Sequence, residues 1–230
     1  MNASSLAYDI AVWLIPLIVA IVFHEVAHGW VARAFGDPTA QRLGRLTLNP
    51  VRHVDPVGTV VLPMMLAIAH APVFGWAKPV PVVASRLRNP RRDMMLVALA
   101  GPATNLLLAL LAALTLGAVF GLTGGEPPAS GAAGFAVANL FNFLMINIFL
   151  AVFNLIPLPP FDGGHVVEGL LPRAAARQYA KLGRFGFPLL LGLLVVVPML
   201  WPGANIVARV VSPIVAWIAA SLLGVAGFAL

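Results

Sequence analysis

Five stretches of this chain contain no charged side chain, and each is long enough to cross a bilayer as a helix, which takes about 20 apolar residues. The stretches are residues 56–77, 94–125, 127–161, 185–208 and 210–230. Only 10% of the 230 residues are charged, whereas charged residues make up about a quarter of a typical soluble domain. A water-soluble protein with a single core is therefore excluded, and the sequence predicts an all-α polytopic membrane protein.

The apolar spans predict five helices and leave one shorter apolar segment over. The predicted helices lie near residues 7–34, 94–122, 135–155, 185–201 and 206–228. The remaining segment, residues 57–73, gives five or six membrane segments, depending on whether it crosses the bilayer. We expect residues 1–230 to form one integral membrane domain, with a core at 7–171 and accessory C-terminal helices at 182–230.

The distribution of basic residues favours a re-entrant course for residues 57–73. Nine of the 14 Lys and Arg residues lie within residues 33–92, on both sides of this segment, and four lie within residues 173–184. Cytoplasmic loops are enriched in Lys and Arg, so a full crossing would separate two basic stretches that belong on one face. The prediction places both stretches in the cytosol and the loop GGEPPASGAAG outside, in a prokaryotic cell membrane.

Residues 75–83, with the sequence GWAKPVPVV, alternate valine with proline. Because proline cannot donate a hydrogen bond within a central strand, they predict an edge strand or an extended segment. Irregular backbone at membrane depth survives only where it is buried in protein or lines a wet cavity. We therefore expect a β-like element between the first two core helices, beside such a cavity.

The first predicted helix contains the sequence VFHEVAHGW, in which His24 and His28 are four residues apart. Side chains at this spacing project from the same face of a helix, so both imidazoles can share one tetrahedral ion such as zinc. Glu25 can reach water at that ion and act as a general base. The chain contains no cysteine, which excludes thiolate catalysis and Cys-ligated metal.

The best candidate for a third ligand is Asp162. A thermolysin-type site takes its third ligand from a later glutamate, but Glu126 lies in the predicted outside loop and Glu168 in a basic cytosolic stretch. Asp162 follows three prolines in NLIPLPPFDGGH and precedes Gly163 and Gly164. These residues break the preceding helix and let the backbone turn the carboxylate inward. An ordinary Asp-Gly turn is the alternative.

Together these motifs resemble the site-2 protease family of intramembrane zinc metallopeptidases. The resemblance covers about residues 15–168 and rests on FHEVAH, on GRLTLNP with HVDPVGT, on AGPATN and on NLIPLPPFDGG. The sequence is similar to a short form of the family, because it contains neither a PDZ nor a CBS module.

The resemblance implies one zinc ion per chain on His24, His28 and Asp162, with Glu25 as the general base. It also implies that Asn154, which begins the last motif, is a polar group near the scissile carbonyl or the metal. Finally, it implies that the extended piece between the first two core helices holds the substrate as an added strand.

Several other polar residues are candidates for the site, but the sequence does not assign one role to each. Asn105 matches the asparagine that ends the family's glycine-proline motif, in which Gly101 permits close helix packing. His165 is either a fourth ligand or outer-shell partner, or a polar residue that opens a cytosolic helix. His53 and Asp55 either gate the cavity or cap a loop.

The expected function is hydrolysis of peptide bonds within or near transmembrane segments of membrane-protein substrates, at an active site toward the cytosolic side. The expected partners are these substrates and the bilayer, and not nucleic acid, because the basic residues flank apolar spans. Two other functions fit ligands at membrane depth. A metal-ion transporter more often has broken helices in both halves of the chain, and a catalytically silent scaffold need not retain Glu25.

Overall fold

A computed structural model describes residues 3–68, 75–201, 205 and 207–228 of the chain. The described residues form α-helices with short 3-10 and π-helical turns and contain no strand, which confirms the predicted all-α class. The α-helices are α1 (Ala3–Ala34), α2 (Thr39–Arg42), α3 (Leu62–Ile68), α4 (Pro90–Leu122), α5 (Gly131–Asn154), α6 (Asp162–Leu170), α7 (Arg173–Ala180), α8 (Gly186–Leu191), α9 (Val197–Leu200) and α10 (Ser212–Val225).

Four helical spans of the described chain are long and apolar enough to cross a membrane. They are Ala7–Ala34 in α1, Pro90–Leu122, Gly131–Asn154 and Val207–Val225, which ends in α10. A fifth span results if the bent pair Arg173–Phe185 and Pro188–Leu200 counts as one. The protein is thus a multi-pass membrane protein, as its sequence predicts.

Large apolar side chains cover the outer faces of these helices. Exposed examples on α1 and α4 are Trp13, Leu14, Ile15, Leu107 and Leu111. A soluble protein rarely exposes contiguous apolar surface of this extent, whereas lipid tails solvate it. The exterior of the helix bundle is therefore suited to the bilayer.

The interior of the bundle is packed where α4, α5 and α10 meet. Ala109 and Ala113 of α4 are fully buried against Leu144 and Ile148 of α5, and Val215 of α10 joins the same cluster. Small residues at helix contacts let two backbones approach closely in a membrane. This packing fixes α4, which lines the site described below, against α5.

The start of the segment predicted to re-enter the membrane is hydrogen-bonded to Trp76, which follows the predicted end of the segment by three residues. The segment begins with a π-helical turn at Pro56–Val61 and continues into α3, whereas residues 69–73 lie outside the described residues. The Trp76 N–H donates to the Gly58 carbonyl over 3.1 Å, and Thr59 Oγ1 donates to the Trp76 carbonyl over 2.9 Å. This geometry fits a re-entrant course, which stays a prediction.

Residues 75–83 form an extended segment, which we call the rail. The backbone of Lys78 is hydrogen-bonded on one edge of the rail: its N–H donates to the His53 carbonyl, and its carbonyl accepts from Arg45 Nη2. The Val80 N–H points in the same direction and donates to a side chain of α1. Of the two predicted forms, the structure therefore has the extended segment rather than a strand.

Candidate metal centre

Helix α1 places His24 and His28 one turn apart on a face that is buried inside the bundle. Both residues are at least nine-tenths buried, and their rings meet edge to face with centroids 4.6 Å apart. The spacing of four residues therefore brings the two imidazoles together as the sequence predicts.

The Nδ1 atoms of both imidazoles face oxygen acceptors on α4. His28 Nδ1 donates to the Val97 carbonyl over 2.7 Å, and His24 Nδ1 lies 2.5 Å from Asn105 Oδ1. A carbonyl oxygen can only accept, so these contacts place the ring hydrogen on Nδ1. Each Nε2 then carries a free electron pair, the form in which histidine binds a metal.

The turn between α5 and α6 places Asp162 beside the two imidazoles as the first residue of α6. The backbone must pack closely there, because a Cβ at Gly163 would lie 2.4 Å from the carbonyl oxygens of Leu155 and Ile156. Glycine is the one residue that avoids this clash. The glycine that follows Asp162 in the sequence thus allows α6 to begin at this position.

Three electron pairs converge between these residues. Asp162 Oδ2 lies 3.1 Å from His24 Nε2 and 3.4 Å from His28 Nε2. The oxygen is buried and has no hydrogen-bond donor among the described residues. Ligand atoms of a tetrahedral zinc site with bonds near 2.0–2.1 Å are separated by about 3.4 Å. The three residues fit a zinc ion.

The backbone of α4 closes one side of this group at Gly101. A Cβ built there would lie 2.5 Å from His24 Cε1 and 2.5 Å from His28 Nε2, inside van der Waals contact. The close packing expected at Gly101 is therefore packing of a helix backbone against both imidazoles.

Glu25 is partly buried on α1, next to His24 in the sequence. Its Oε2 accepts a hydrogen bond of 2.8 Å from the Val80 N–H of the rail. One carboxylate oxygen is thus held by the backbone, and Oε1 is not engaged by that bond.

Asn154 is the last residue of α5, and its Nδ2 donates to the Leu150 carbonyl of the same helix over 2.9 Å. No hydrogen bond among the described residues joins Asn154 to the His, His and Asp group. Its predicted place near the scissile carbonyl stays a prediction.

The remaining predicted residues have local partners. His53 is buried and its Nε2 lies 2.9 Å from the Thr47 carbonyl. Asp55 Oδ1 accepts from the N–H groups of Val57 and Gly58, as expected for loop capping.

His165 lies on the surface of α6. Its side chain is 47% exposed, and its Nδ1 lies 3.7 Å from Glu168 Oε2, one turn along the helix. This placement favours the interpretation of His165 as a polar residue of a cytosolic helix over that of a fourth ligand.

Asp37 is a buried residue that sequence reasoning missed. Its Oδ1 accepts from the Thr39 N–H over 3.0 Å and from the Thr39 hydroxyl, and its Oδ2 accepts from the Val83 N–H over 2.6 Å. Burial alone would raise the pKa of Asp37, but these hydrogen bonds and nearby Arg86 outweigh it, and the pKa lies below its ordinary value. Asp37 therefore ties the end of α1 to the end of the rail.

Asn147 is a second missed residue. It is fully buried on α5 and accepts a hydrogen bond from Asn105. The available signal was a lone amide in the apolar run FLMINIFL, since polar side chains inside a membrane are costly without partners.

The sequence is also similar to known proteins. The profile described as peptidase family M50 matches residues 12–135 and 116–196. A protein of Bacillus subtilis named Putative zinc metalloprotease YwhC is 39% identical over 197 residues, covering 84% of this chain and 85% of the relative. A protein of Mycolicibacterium smegmatis named Putative zinc metalloprotease Rip2 is 32% identical over 197 residues, covering 85% of this chain and 68% of the relative. No solved structure matches the chain.

Proposed function

This chain belongs to peptidase family M50 and is a zinc metalloprotease, and we propose that it hydrolyses peptide bonds within or near transmembrane segments of membrane proteins. The family match confirms the resemblance to the site-2 proteases. The apolar helical spans support a substrate that is itself embedded in the bilayer.

We propose His24 Nε2, His28 Nε2 and Asp162 Oδ2 as the zinc ligands. The observation that carries this proposal is the convergence of three electron pairs, 3.1 Å and 3.4 Å apart, with no donor hydrogen between them. Without a cation, three such atoms would repel one another in a site of low dielectric. A zinc ion held by these three atoms would remove this repulsion.

A zinc ion held there would supply Lewis-acid chemistry to the attacking water and the scissile carbonyl. Glu25 is the proposed general base, and Oε1 receives the proton because Val80 occupies Oε2. The Val80 N–H fixes the carboxylate, so that its free oxygen keeps one direction during the proton transfer. Asn154 is proposed as a polar group beside the scissile carbonyl. In that role its Nδ2 exchanges the Leu150 carbonyl for the substrate.

The rail is proposed to hold the substrate in extended form. Its inner edge is already bonded at Trp76, Lys78 and Val80. In extended backbone, neighbouring residues point their N–H and carbonyl groups to opposite edges, so Pro79 and Pro81 face outward. Both prolines lack an N–H. The outer edge therefore offers carbonyl oxygens, which can accept the N–H groups that a locally unwound substrate helix releases.

The proposed topology follows the charge distribution. The basic stretches at 33–92 and 173–184 lie in the cytosol of a prokaryotic cell, and the metal centre lies toward the cytosolic side. Gly58, near the start of the 57–73 segment, accepts a hydrogen bond from Trp76, which follows that segment, and this bond supports a re-entrant course. The proposed core is residues 7–171, because it contains the whole metal centre, with residues 182–230 as accessory helices.

Mass spectrometry of cleavage products tests this function. A panel of single-span substrates is incubated in detergent with purified wild type, with Glu25→Gln and with a matched control, Glu168→Gln, which changes a partly exposed glutamate on α6. We expect Glu25→Gln to retain zinc and lose about 10²-fold to 10⁴-fold in rate, and the control to resemble wild type. A chelator should stop cleavage in both active proteins.

Three results would contradict the proposal. Unchanged turnover of Glu25→Gln would remove the assigned base, and stoichiometric zinc in His28→Ala would remove the assigned ligand set. Zinc uptake into vesicles by a wild type that cleaves no substrate would favour a transporter instead.

A further inference from the structure

Two asparagines form a buried bridge between three helices of the bundle. Asn105 of α4 and Asn147 of α5 are both fully buried. Asn105 Nδ2 donates to Asn147 Oδ1 over 2.7 Å, and Asn105 Oδ1 lies 2.5 Å from His24 Nδ1 of α1. The bridge therefore ends on one of the proposed zinc ligands.

Backbone carbonyls determine which way each amide points. Asn147 Nδ2 donates to the Phe143 carbonyl over 2.8 Å, so Asn147 must turn its oxygen toward Asn105. Asn105 Nδ2 then meets two acceptors, Asn147 Oδ1 and the Ala20 carbonyl at 3.3 Å. The amide nitrogen and oxygen of asparagine are assigned from such partners. Here both partners of Asn105 Nδ2 are oxygens.

The orientation of Asn105 decides the tautomer of His24. Its Oδ1 can only accept, so His24 must carry its ring hydrogen on Nδ1 to make the 2.5 Å contact. The electron pair of His24 then resides on Nε2, which faces Asp162 Oδ2 at 3.1 Å. A chain of hydrogen bonds from the Phe143 carbonyl thus ends at His24 Nδ1 and leaves Nε2 as the ligand atom.

We propose that Asn147 is a positioning residue for the zinc centre, and that it fixes the Nδ1–H tautomer of His24 through Asn105. This inference rests on the proposed zinc ligands. Partners that fix the tautomer of a ligating histidine typically contribute about 10-fold to 100-fold to metal affinity. Asn147 contributes here without contact with either the ligand or the metal.

A comparison with His28 shows why the tautomer of His24 depends on side chains. His28 obtains the same tautomer in one step, because its Nδ1 donates to the Val97 carbonyl. A backbone carbonyl cannot turn over, whereas a side-chain amide can. Asn105 would exchange its oxygen and nitrogen by rotating through 180°. Two acceptors disfavour this rotation, and the oxygen of Asn147 at 2.7 Å is closer to Asn105 Nδ2 than the Ala20 carbonyl at 3.3 Å.

Helix α5 also offers a matched control in Asn139. Asn139 Nδ2 donates to the Phe135 carbonyl four residues earlier, as Asn147 does to Phe143. Its Oδ1, however, is buried without a hydrogen-bond partner among the described residues. Asn139→Leu therefore removes the same kind of amide from the same helix without breaking the bridge.

The experiment compares Asn147→Leu with Asn139→Leu in the full chain. The first readout is the tautomer of His24 in metal-free protein labelled with ¹⁵N-histidine, at an alkaline pH at which the ring is neutral. It is measured from nitrogen shifts and couplings and assigned with a His24→Gln sample. We expect the Nδ1–H form in wild type and in Asn139→Leu, and a mixture of tautomers in Asn147→Leu.

The second readout is zinc affinity by competition with a chelator. We expect Asn147→Leu to lose about 10-fold to 100-fold in affinity and Asn139→Leu to stay within about twofold of wild type. Asn147→Ala gives the same expected result with a smaller side chain, should the leucine variant fail to fold.

A pure Nδ1–H tautomer in Asn147→Leu, with zinc affinity equal to that of Asn139→Leu, would overturn the inference. A wild type that binds no zinc would instead refute the proposed zinc ligands. The tautomer measurement needs no metal, so it tests the bridge in either case.

Discussion

The Oε2 atom of Glu25 accepts a 2.8 Å hydrogen bond from the backbone N–H of Val80, 55 residues later in the chain. Glu25 is the proposed general base, and Val80 lies on the rail that we propose to bind the substrate. On these two proposals, one segment would position both the catalytic carboxylate and the peptide backbone that is cleaved. The position of the carboxylate relative to the substrate backbone would then be set by the rail alone.

Replacement of Val80 tests this relationship. Val80→Pro removes the N–H donor, whereas the control Val80→Ala retains it and changes only the side chain. A hydrogen bond to a charged group contributes about 1.5–3 kcal/mol. We expect kcat for Val80→Pro to fall about 10-fold to 100-fold relative to Val80→Ala, with zinc content unchanged. Equal kcat values for the two variants would show that the bond does not position Glu25.

Addition of one methyl group at Gly101 should displace both imidazoles. A Cβ there would lie 2.5 Å from His24 and from His28, whereas a Cβ at Gly121 of the same helix would meet no atom within 4 Å. We expect Gly101→Ala to lose zinc and to cleave about 100-fold more slowly, since misplacement of reacting groups by about 1 Å has effects of this size. Zinc content by mass spectrometry and cleavage rate give the measurement, with Gly121→Ala as the control. Stoichiometric zinc in Gly101→Ala would contradict the packing seen at this position.

Cysteine labelling tests the re-entrant segment. The chain has no native cysteine, and Gln41, Ser85 and Ser130 are exposed. We expect single cysteines at 41 and 85 to react with a membrane-impermeant reagent from the cytosolic face, and one at 130 from the opposite face. Labelling of 41 and 85 from opposite faces would make the segment between them a true crossing.

Asp37 gives the protein a stability that depends on pH. Its pKa is lowered in the folded state, so the stabilisation is present above the unfolded value of about 3.9 and is lost as pH falls through the folded value. We expect the unfolding midpoint of wild type in detergent to fall below about pH 4 more steeply than that of Asp37→Asn. Asp9→Asn, at an exposed position of α1, serves as the control. Parallel curves for wild type and Asp37→Asn would exclude this contribution.

Local patterns were sufficient to predict the groups that converge on the metal. His24 and His28 share a helix face through their spacing alone, and Asp162 follows a helix break that prolines and glycines mark in the sequence. The long apolar spans likewise predict α1, α4 and α5, because both burial in a bilayer and helix length are set by consecutive residues.

Contacts between distant segments could not be predicted in this way. The bond from Val80 to Glu25 uses a backbone N–H, which every residue except proline has, so no residue type marks it. The bridge from Asn147 to Asn105 depends on the packing of α5 against α4, and neither asparagine belongs to a spacing pattern with the other. Asp37 was missed for the same reason, since its partner Val83 lies 46 residues later in the chain.

The prolines of the rail also affect how two copies of this protein can meet. An exposed strand edge can pair with the same edge of a second copy, because the unpaired N–H and carbonyl groups of the two edges match. Such pairing leads to aggregation. At Pro79 and Pro81 the outer edge presents oxygen alone, so two rails brought together would set acceptor against acceptor. On the proposed geometry, the outer edge of the rail would stay open to a substrate without pairing with the rail of a second copy.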